Sequence, residues 1–181
     1  MSILLVRAVL WPIVLVLLSV AAVQDVRARI IPNRLVLAVA AVGLVAAAVE
    51  RPAALWLSLL FAFLLLGGLG VLTHYDVLGA GDAKMIAAVT LMTPPERSAV
   101  VLFAIAMAGG VLSLGYLIAY HTLKRRNATT GTTALARWRR NERARIATGQ
   151  SVPYAVAILG GAVAYYISEI QRCLSVTSCS P

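Results

Sequence analysis

Cysteine and histidine are nearly absent from this chain. Of 181 residues two are cysteines, Cys173 and Cys179, both among the last nine positions, and the two histidines, His74 and His121, lie far from each other. With no Cys-x-x-Cys pair and no His/Cys cluster, a zinc or redox centre is not expected, and neither is a cofactor. Acidic residues are scarce too: seven Asp and Glu stand against sixteen Lys and Arg. So few carboxylates make the position of each one informative. What the chain has in excess is apolar surface. Hydrophobic residues make up 61% of it, against ~45–50% in an ordinary soluble domain. A membrane-embedded, all-α protein follows. The net charge of +9 does not point to nucleic acid, because eight of the basic residues are gathered between Lys124 and Arg145, between two apolar runs. Loops on the cytoplasmic side of membrane proteins carry basic residues in this way. The partners implied are membrane lipids, with no nucleic acid.

The apolar runs predict about six transmembrane helices in a single membrane-embedded domain, residues 1–181. Ile3 to Val23 is long enough to cross a ~30 Å hydrocarbon core. A cleaved signal peptide is the competing reading. Against it, Arg7 lies inside the run, and the run exceeds the 7–15 apolar residues usual in a signal peptide. Three arginines and a proline follow in Asp25-Val26-Arg27-Ala28-Arg29-Ile30-Ile31-Pro32-Asn33-Arg34. Pro32 disfavours helix at Ile31 and suits the start of the next one, so a turn is predicted here. Leu35 to Val49 and Ala53 to Leu72 are the second and third spans, and Met85 to Met92 is a short fourth. Ser98 to Tyr120 is the fifth, and Pro153 to Ile170 the sixth. A basic loop, residues 122–150, separates these last two, and residues 171–181 form a tail.

Six alternating spans divide the basic residues into two sets. Arg27, Arg29, Arg34, Lys84 and the eight of the long loop, twelve in all, share one side; Arg7, Arg51, Arg97 and Arg172 share the other. Twelve against four makes the first side cytoplasmic, with both termini outward. Cys173 and Cys179 then lie in an oxidising compartment, where a disulfide between them is one expectation and two unpaired thiols the other.

The acids are the more telling residues. Asp82 lies in Gly79-Ala80-Gly81-Asp82-Ala83-Lys84, between two apolar runs, and Asp25 closes the first span. A charged side chain at the centre of a membrane helix costs ~2.5–3.5 kcal/mol on insertion scales, so acids in such segments tend to be functional. An Asp that merely caps a helix is the plain alternative. The two glycines allow positive φ or close backbone approach and can aim the carboxylate. Asp25 and Asp82 emerge at the same, cytoplasmic face on different helices, and two carboxylates at one depth can converge. Such a pair cannot fully ionise, so one member keeps its proton while the other acts as base. The base deprotonates water, and the acid polarises a peptide carbonyl. No metal is needed.

Asp25 before Ile-Pro-Asn, with Gly-Ala-Gly-Asp-Ala-Lys before a short helix, resembles the type IV prepilin peptidase family of membrane-embedded Gly-x-Gly-Asp aspartic proteases. Val152-Pro153-Tyr154-Ala155-Val156-Ala157-Ile158 is similar to that family's last helix. The resemblance implies Asp25 and Asp82 as the catalytic pair and Gly79 and Gly81 as positioning residues. It also implies a prepilin substrate, with an N-terminal leader and an apolar helix, cut at the cytoplasmic face of the bacterial inner membrane. Larger members carry a cytoplasmic domain with paired cysteine motifs between the first two spans and also methylate the new N-terminus. About nine residues lie there in this chain. N-methylation is therefore not expected, and the compact peptidases of tight-adherence (Flp-type) pilus systems are the nearer likeness. The substrate leaders of the family are basic, so the basic loop would repel rather than recruit them. It reads instead as a lipid-facing segment with Trp138 as interfacial anchor.

Three other residues near the motif read as bystanders: Asp76 as a solvated loop acid, His74 as interfacial, and Lys84 as a lysine reaching for the membrane surface. Two readings from other classes stand beside the peptidase. One is a small transporter or proton pathway, whose acids would be expected nearer the midplane. The other is a catalytically inactive subunit of pilus assembly.

Overall fold

A computed structural model describes residues 3–123 and 152–178. The described residues form six α-helices: α1 Ile3–Ala28, α2 Asn33–Glu50, α3 Leu55–His74, α4 Ala80–Thr90, α5 Pro95–Leu123 and α6 Tyr154–Ser178, with a 3-10 turn at Pro52–Ala54 before α3. Helices are the expected solution for apolar runs of this length, because in lipid each backbone N–H and C=O must find its partner within the segment. Four stretches are long and apolar enough to cross a membrane: Val6–Ala28, Asn33–Glu50, Pro52–His74 and Pro95–Ala119. The basic loop and the Cys173–Cys179 pairing lie outside the described residues.

The chain divides into two compact units. Residues 109–152 make up one, whose described part continues α5 with Val111, Leu114 and Leu117 exposed. The other, residues 1–108 with 153–181, holds every feature discussed below.

At the centre of this larger unit is its shortest helix. α4 has 11 residues, about 16 Å at ~1.5 Å per residue, too short to cross a bilayer alone. It can sit at membrane depth because protein surrounds it: Ala83 and every residue from Met85 to Thr90 are buried. Small residues let α2 approach closely. A Cβ on Gly43 would lie 2.8 Å from Leu91 Cβ and 3.2 Å from the Ala88 carbonyl oxygen. α6 reaches α5 in the same way, since a Cβ on Gly161 would lie 2.5 Å from the Ile105 backbone nitrogen. Close backbone approach at small residues is how helices associate where no hydrophobic effect drives them. α3 contrasts with α4. Ser58 is its one buried residue, and Trp56, Phe63 and Leu64 are more than 60% exposed, as lipid-facing side chains are.

The ends of the helices are fixed by polar groups. Pro32 precedes α2 in extended backbone, φ −66° and ψ 137°, as the Ile-Pro pair predicts. At the end of α1 far from Asp25, the arginines that charge counting assigns to the minor side converge on two buried glutamates. Arg7 Nε donates to Glu50 Oε2 at 3.0 Å, and Arg97 donates to both oxygens of Glu169 at 2.8 and 2.6 Å. Arg7 and Arg172 also face Glu169, at 3.4 and 3.6 Å. This network ties α1, α2, α5 and α6 together. Arg51 donates to the Leu91 carbonyl at 3.0 Å, which satisfies a C-terminal carbonyl just beyond α4, a position that favours a cation.

Candidate active site

Two helix ends meet where the first-span aspartate stands. Asp25 lies in the last turn of α1 and is 7% exposed. Its Oδ2 accepts a hydrogen bond from the Ala155 N–H at 3.0 Å, in the first turn of α6. The first N–H groups of a helix have no intrahelical acceptor and carry the positive end of its dipole, so a carboxylate there is doubly favoured. Pro153, just ahead of α6, fits because a proline before the first turn gives up no N–H that the helix needs.

Asp82 is the third residue of α4. Gly79 precedes α4 in extended backbone, φ −65° and ψ 138°. The Asp82 side chain folds back over it, so that a Cβ on Gly79 would lie 2.7 Å from Oδ2. Its other oxygen, Oδ1, is buried and has no hydrogen-bond partner among the described residues. Asp82 stands outside the four crossing stretches, and burial pushes its carboxyl up to about 7, with the negative charge of Asp25 adding to the effect. The two carboxylates, 57 residues apart in sequence, thus lie within electrostatic reach of each other. Tyr154, next to Ala155, lies in the field of Asp82 and completes the surroundings from α6.

Of the two uses the sequence allows for the glycines, positive φ and close approach, only the second operates here. Neither takes positive φ; both are needed for space. Gly81 faces Ile31, whose Cβ would be 3.1 Å from an added Cβ, and so seats α4 against the turn before α2. Gly79 is the one beneath the carboxylate. Gly79→Ala should therefore re-aim Asp82 at little cost in fold, since φ −65° suits alanine. We expect a clear loss of turnover with a melting temperature within a few degrees of the parent. Cleavage at the parental rate would show that the carboxylate can shift freely.

The other acid of this region stays apart. Asp76 is exposed and takes φ 57° just past the end of α3, where its N–H donates to the Thr73 carbonyl and that of Val77 to Leu72. This is a left-handed helix stop, a conformation that Asp tolerates better than most residues. His74 is exposed and meets the Tyr75 ring edge-on at 5.6 Å. Lys84 is exposed but has a partner: its Nζ donates to Asn33 Oδ1 at 3.4 Å, which ties the first turn of α4 to the head of α2. Among the described residues no group of three or more His, Cys, Asp or Glu could hold a metal ion.

Sequence reasoning missed the part played by the start of α6. The Pro-Tyr-Ala segment read as a family likeness, with no role for its backbone. The signal was a proline opening an apolar helix, but the partner of the freed N–H lies 130 residues earlier.

A family model described as the type IV leader peptidase family matches residues 12–114, more than half of the chain and a range that includes both aspartates. No curated protein and no solved structure matches it significantly.

Proposed function

The chain belongs to the type IV leader peptidase family, a membrane-embedded peptidase by that membership, and on this premise we propose that it is an aspartic endopeptidase whose dyad is Asp25 and Asp82. Its substrate is an Flp-type prepilin. It cuts at the cytoplasmic face of the bacterial inner membrane and leaves the new N-terminus unmethylated. The observation that supports this reading is that Asp25, at the end of α1, accepts the Ala155 N–H at the start of α6 and that its charge is felt by the carboxyl of Asp82 at the start of α4.

The roles follow from the surroundings. Asp25 holds the N–H of Ala155 at the positive end of α6 and is the ionised member. Asp82, half-buried and in the field of that charge, keeps the proton. Water placed between them loses a proton to Asp25 as it attacks the scissile carbonyl carbon. The Asp82 carboxyl, whose Oδ1 has no hydrogen-bond partner among the described residues, gives its proton to the carbonyl oxygen as charge develops there and recovers it when the intermediate collapses. When the tetrahedral intermediate collapses, Asp25 returns the proton to the leaving amine. The placement of the acids at helix ends favours this reading over a proton pathway, which needs a relay through the midplane.

The sidedness rests on the twelve-to-four distribution of basic residues, and the absence of methylation on the short segment between α1 and α2. Purified protein in detergent, mixed with a tagged Flp-type prepilin, should release the leader, with mass spectrometry showing an unmethylated new N-terminus. The rate should also report on Asp82. Its useful form is the protonated one, which is lost as pH rises through about 7, so kcat/KM should fall on the alkaline side from near neutrality. No leader release at any pH would overturn the reading. A flat profile from pH 6 to 9 would remove Asp82 as the proton donor.

A further inference from the structure

Gly81 and Lys84 stand three places apart in α4 and so share one face of the helix. That face meets the turn between α1 and α2 twice. A Cβ on Gly81 would lie 3.1 Å from Ile31 Cβ. One turn further along, Lys84 Nζ donates to Asn33 Oδ1 at 3.4 Å. Asp82 lies between these two points in the chain, and the direction of its side chain is set by how the first turn of α4 is seated.

Both partners of that hydrogen bond depart from their ordinary roles. A lysine at the edge of a membrane helix commonly extends its ammonium to water or headgroups, yet Lys84, though exposed, turns toward α2. Asparagine favours the capping place of a helix, where its oxygen takes an N–H of that same helix. Pro32 holds that place in α2, no side chain makes a cap bond there, and the Asn33 oxygen accepts from α4 instead. The start of α4 has need of an anchor. Its cap residue is a glycine and makes no side-chain bond, and Gly79 and Ala80, just ahead of Asp82, are exposed. Burial begins at Ala83 and continues from Met85. The turn that carries the carboxylate is therefore packed on its far side and open on its near side.

We propose that Lys84 is a positioning residue of the dyad: bonded to Asn33, it fixes the roll of α4 and thereby the direction in which Asp82 presents its carboxyl to the scissile peptide. This rests on the peptidase reading above. Lys84 touches no reacting atom in this role and acts through the seating of the helix. Small displacements of a catalytic group have large effects on rate, ~10²-fold for about 1 Å. An exposed bond of this kind favours the seated arrangement over others by a factor of up to about five. Its loss should therefore show in turnover and hardly in stability.

The competing role is that of a lysine held at the membrane surface by anionic headgroups alone. Five forms of the protein separate the two: the parent, K84M, N33A, the double variant K84M/N33A, and K84R. Each is assayed in detergent for melting temperature and for leader release from a tagged Flp-type prepilin. K84M and N33A should each lower kcat about fivefold, with KM little changed and melting temperatures within a few degrees of the parent. The double variant should be no slower than the slower single one, because the same bond is missing in all three. K84R, which keeps a donor, should recover most of the parental kcat. A parental kcat in K84M would overturn the proposal. So would a loss in K84M with none in N33A, since the lysine would then act without its partner. Losses that multiply in the double variant, or that follow a fall in melting temperature, would overturn it as well. Leader release by the parent keeps these outcomes distinct from failure of the peptidase reading, in which no form would cut.

Discussion

Replacing Asp25 or Asp82 by asparagine is expected to leave a protein that inserts and folds but does not release the leader. Asparagine keeps the size of aspartate, and its amide oxygen can still accept the Ala155 N–H that Oδ2 of Asp25 takes at 3.0 Å. The fold around α6 should therefore survive Asp25→Asn. What disappears is the base. At Asp82 the loss is of the acid: an amide can donate a hydrogen bond to the oxyanion but cannot exchange a proton with the reacting atoms. Removing a general acid or base costs ~10²–10⁴-fold, and losing one half of a dyad should fall at or beyond the upper end. Asp76→Asn is the control. Asp76 is exposed, and asparagine is at home in its left-handed backbone, so cleavage should stay within about twofold, the spread expected of a surface substitution that touches no reacting group. Leader release measured for the three variants in membranes of matched content decides the matter. Full activity in either dyad variant, or loss confined to Asp76→Asn, would show that the pair is wrongly assigned.

Glu169→Ala should have the largest effect on stability. The Glu169 carboxylate takes both guanidinium bonds of Arg97 and faces Arg7, with its own side chain 10% exposed. Alanine would strand Arg97 and leave Arg7 with Glu50 alone where α1, α5 and α6 meet. Breaking a buried ion pair by removing one partner costs ~3–5 kcal/mol. Arg97 is 42% exposed, so part of its charge can turn to solvent, and the lower end of that range is expected. Arg172→Ala is the comparison. Its side chain is 55% exposed and 3.6 Å from the same carboxylate, and exposed pairs contribute ~0–1 kcal/mol. The network also lies about 27 Å along α1 from the dyad, counting ~1.5 Å per residue between Arg7 and Asp25. At low temperature the surviving Glu169→Ala protein should still cut its substrate. Thermal unfolding in detergent micelles, with cleavage followed at 4 °C, checks both halves. An unchanged melting temperature would show that the arginines find other partners.

How the fold could be read is plainest from α4 and the arginines. The long apolar runs admit one answer, since lipid offers the backbone no hydrogen bonds, and α1, α2, α3 and α5 run close to where hydropathy places them. For α4 the apolar run from Met85 to Met92 was visible but its surroundings were not. A helix of that length is stable at membrane depth only if other helices cover it, and which ones do so depends on Gly43 and Gly81, whose use as spacers cannot be told from the use of any other glycine in sequence. The minor set of arginines has the same history. Counting Arg7, Arg51, Arg97 and Arg172 assigns them a side; it does not reveal that three of them surround Glu169.

The sequence by itself determined that this protein lives in the membrane, that it is helical, that its few acids are unusual, and that Asp25 and Asp82 are the pair to consider. These are consequences of local composition: apolar length, charge asymmetry, and a glycine turn before an aspartate. The tertiary structure alone decided that Gly79, more than Gly81, makes room for the carboxylate, and that the Asp25 acceptor is filled by the Ala155 N–H. It also decided that Arg29 stands in a left-handed turn at the end of α1. Each of these depends on atoms far apart in the chain or on a backbone angle, and neither a long-range approach nor a value of φ is written in the identity of a single residue.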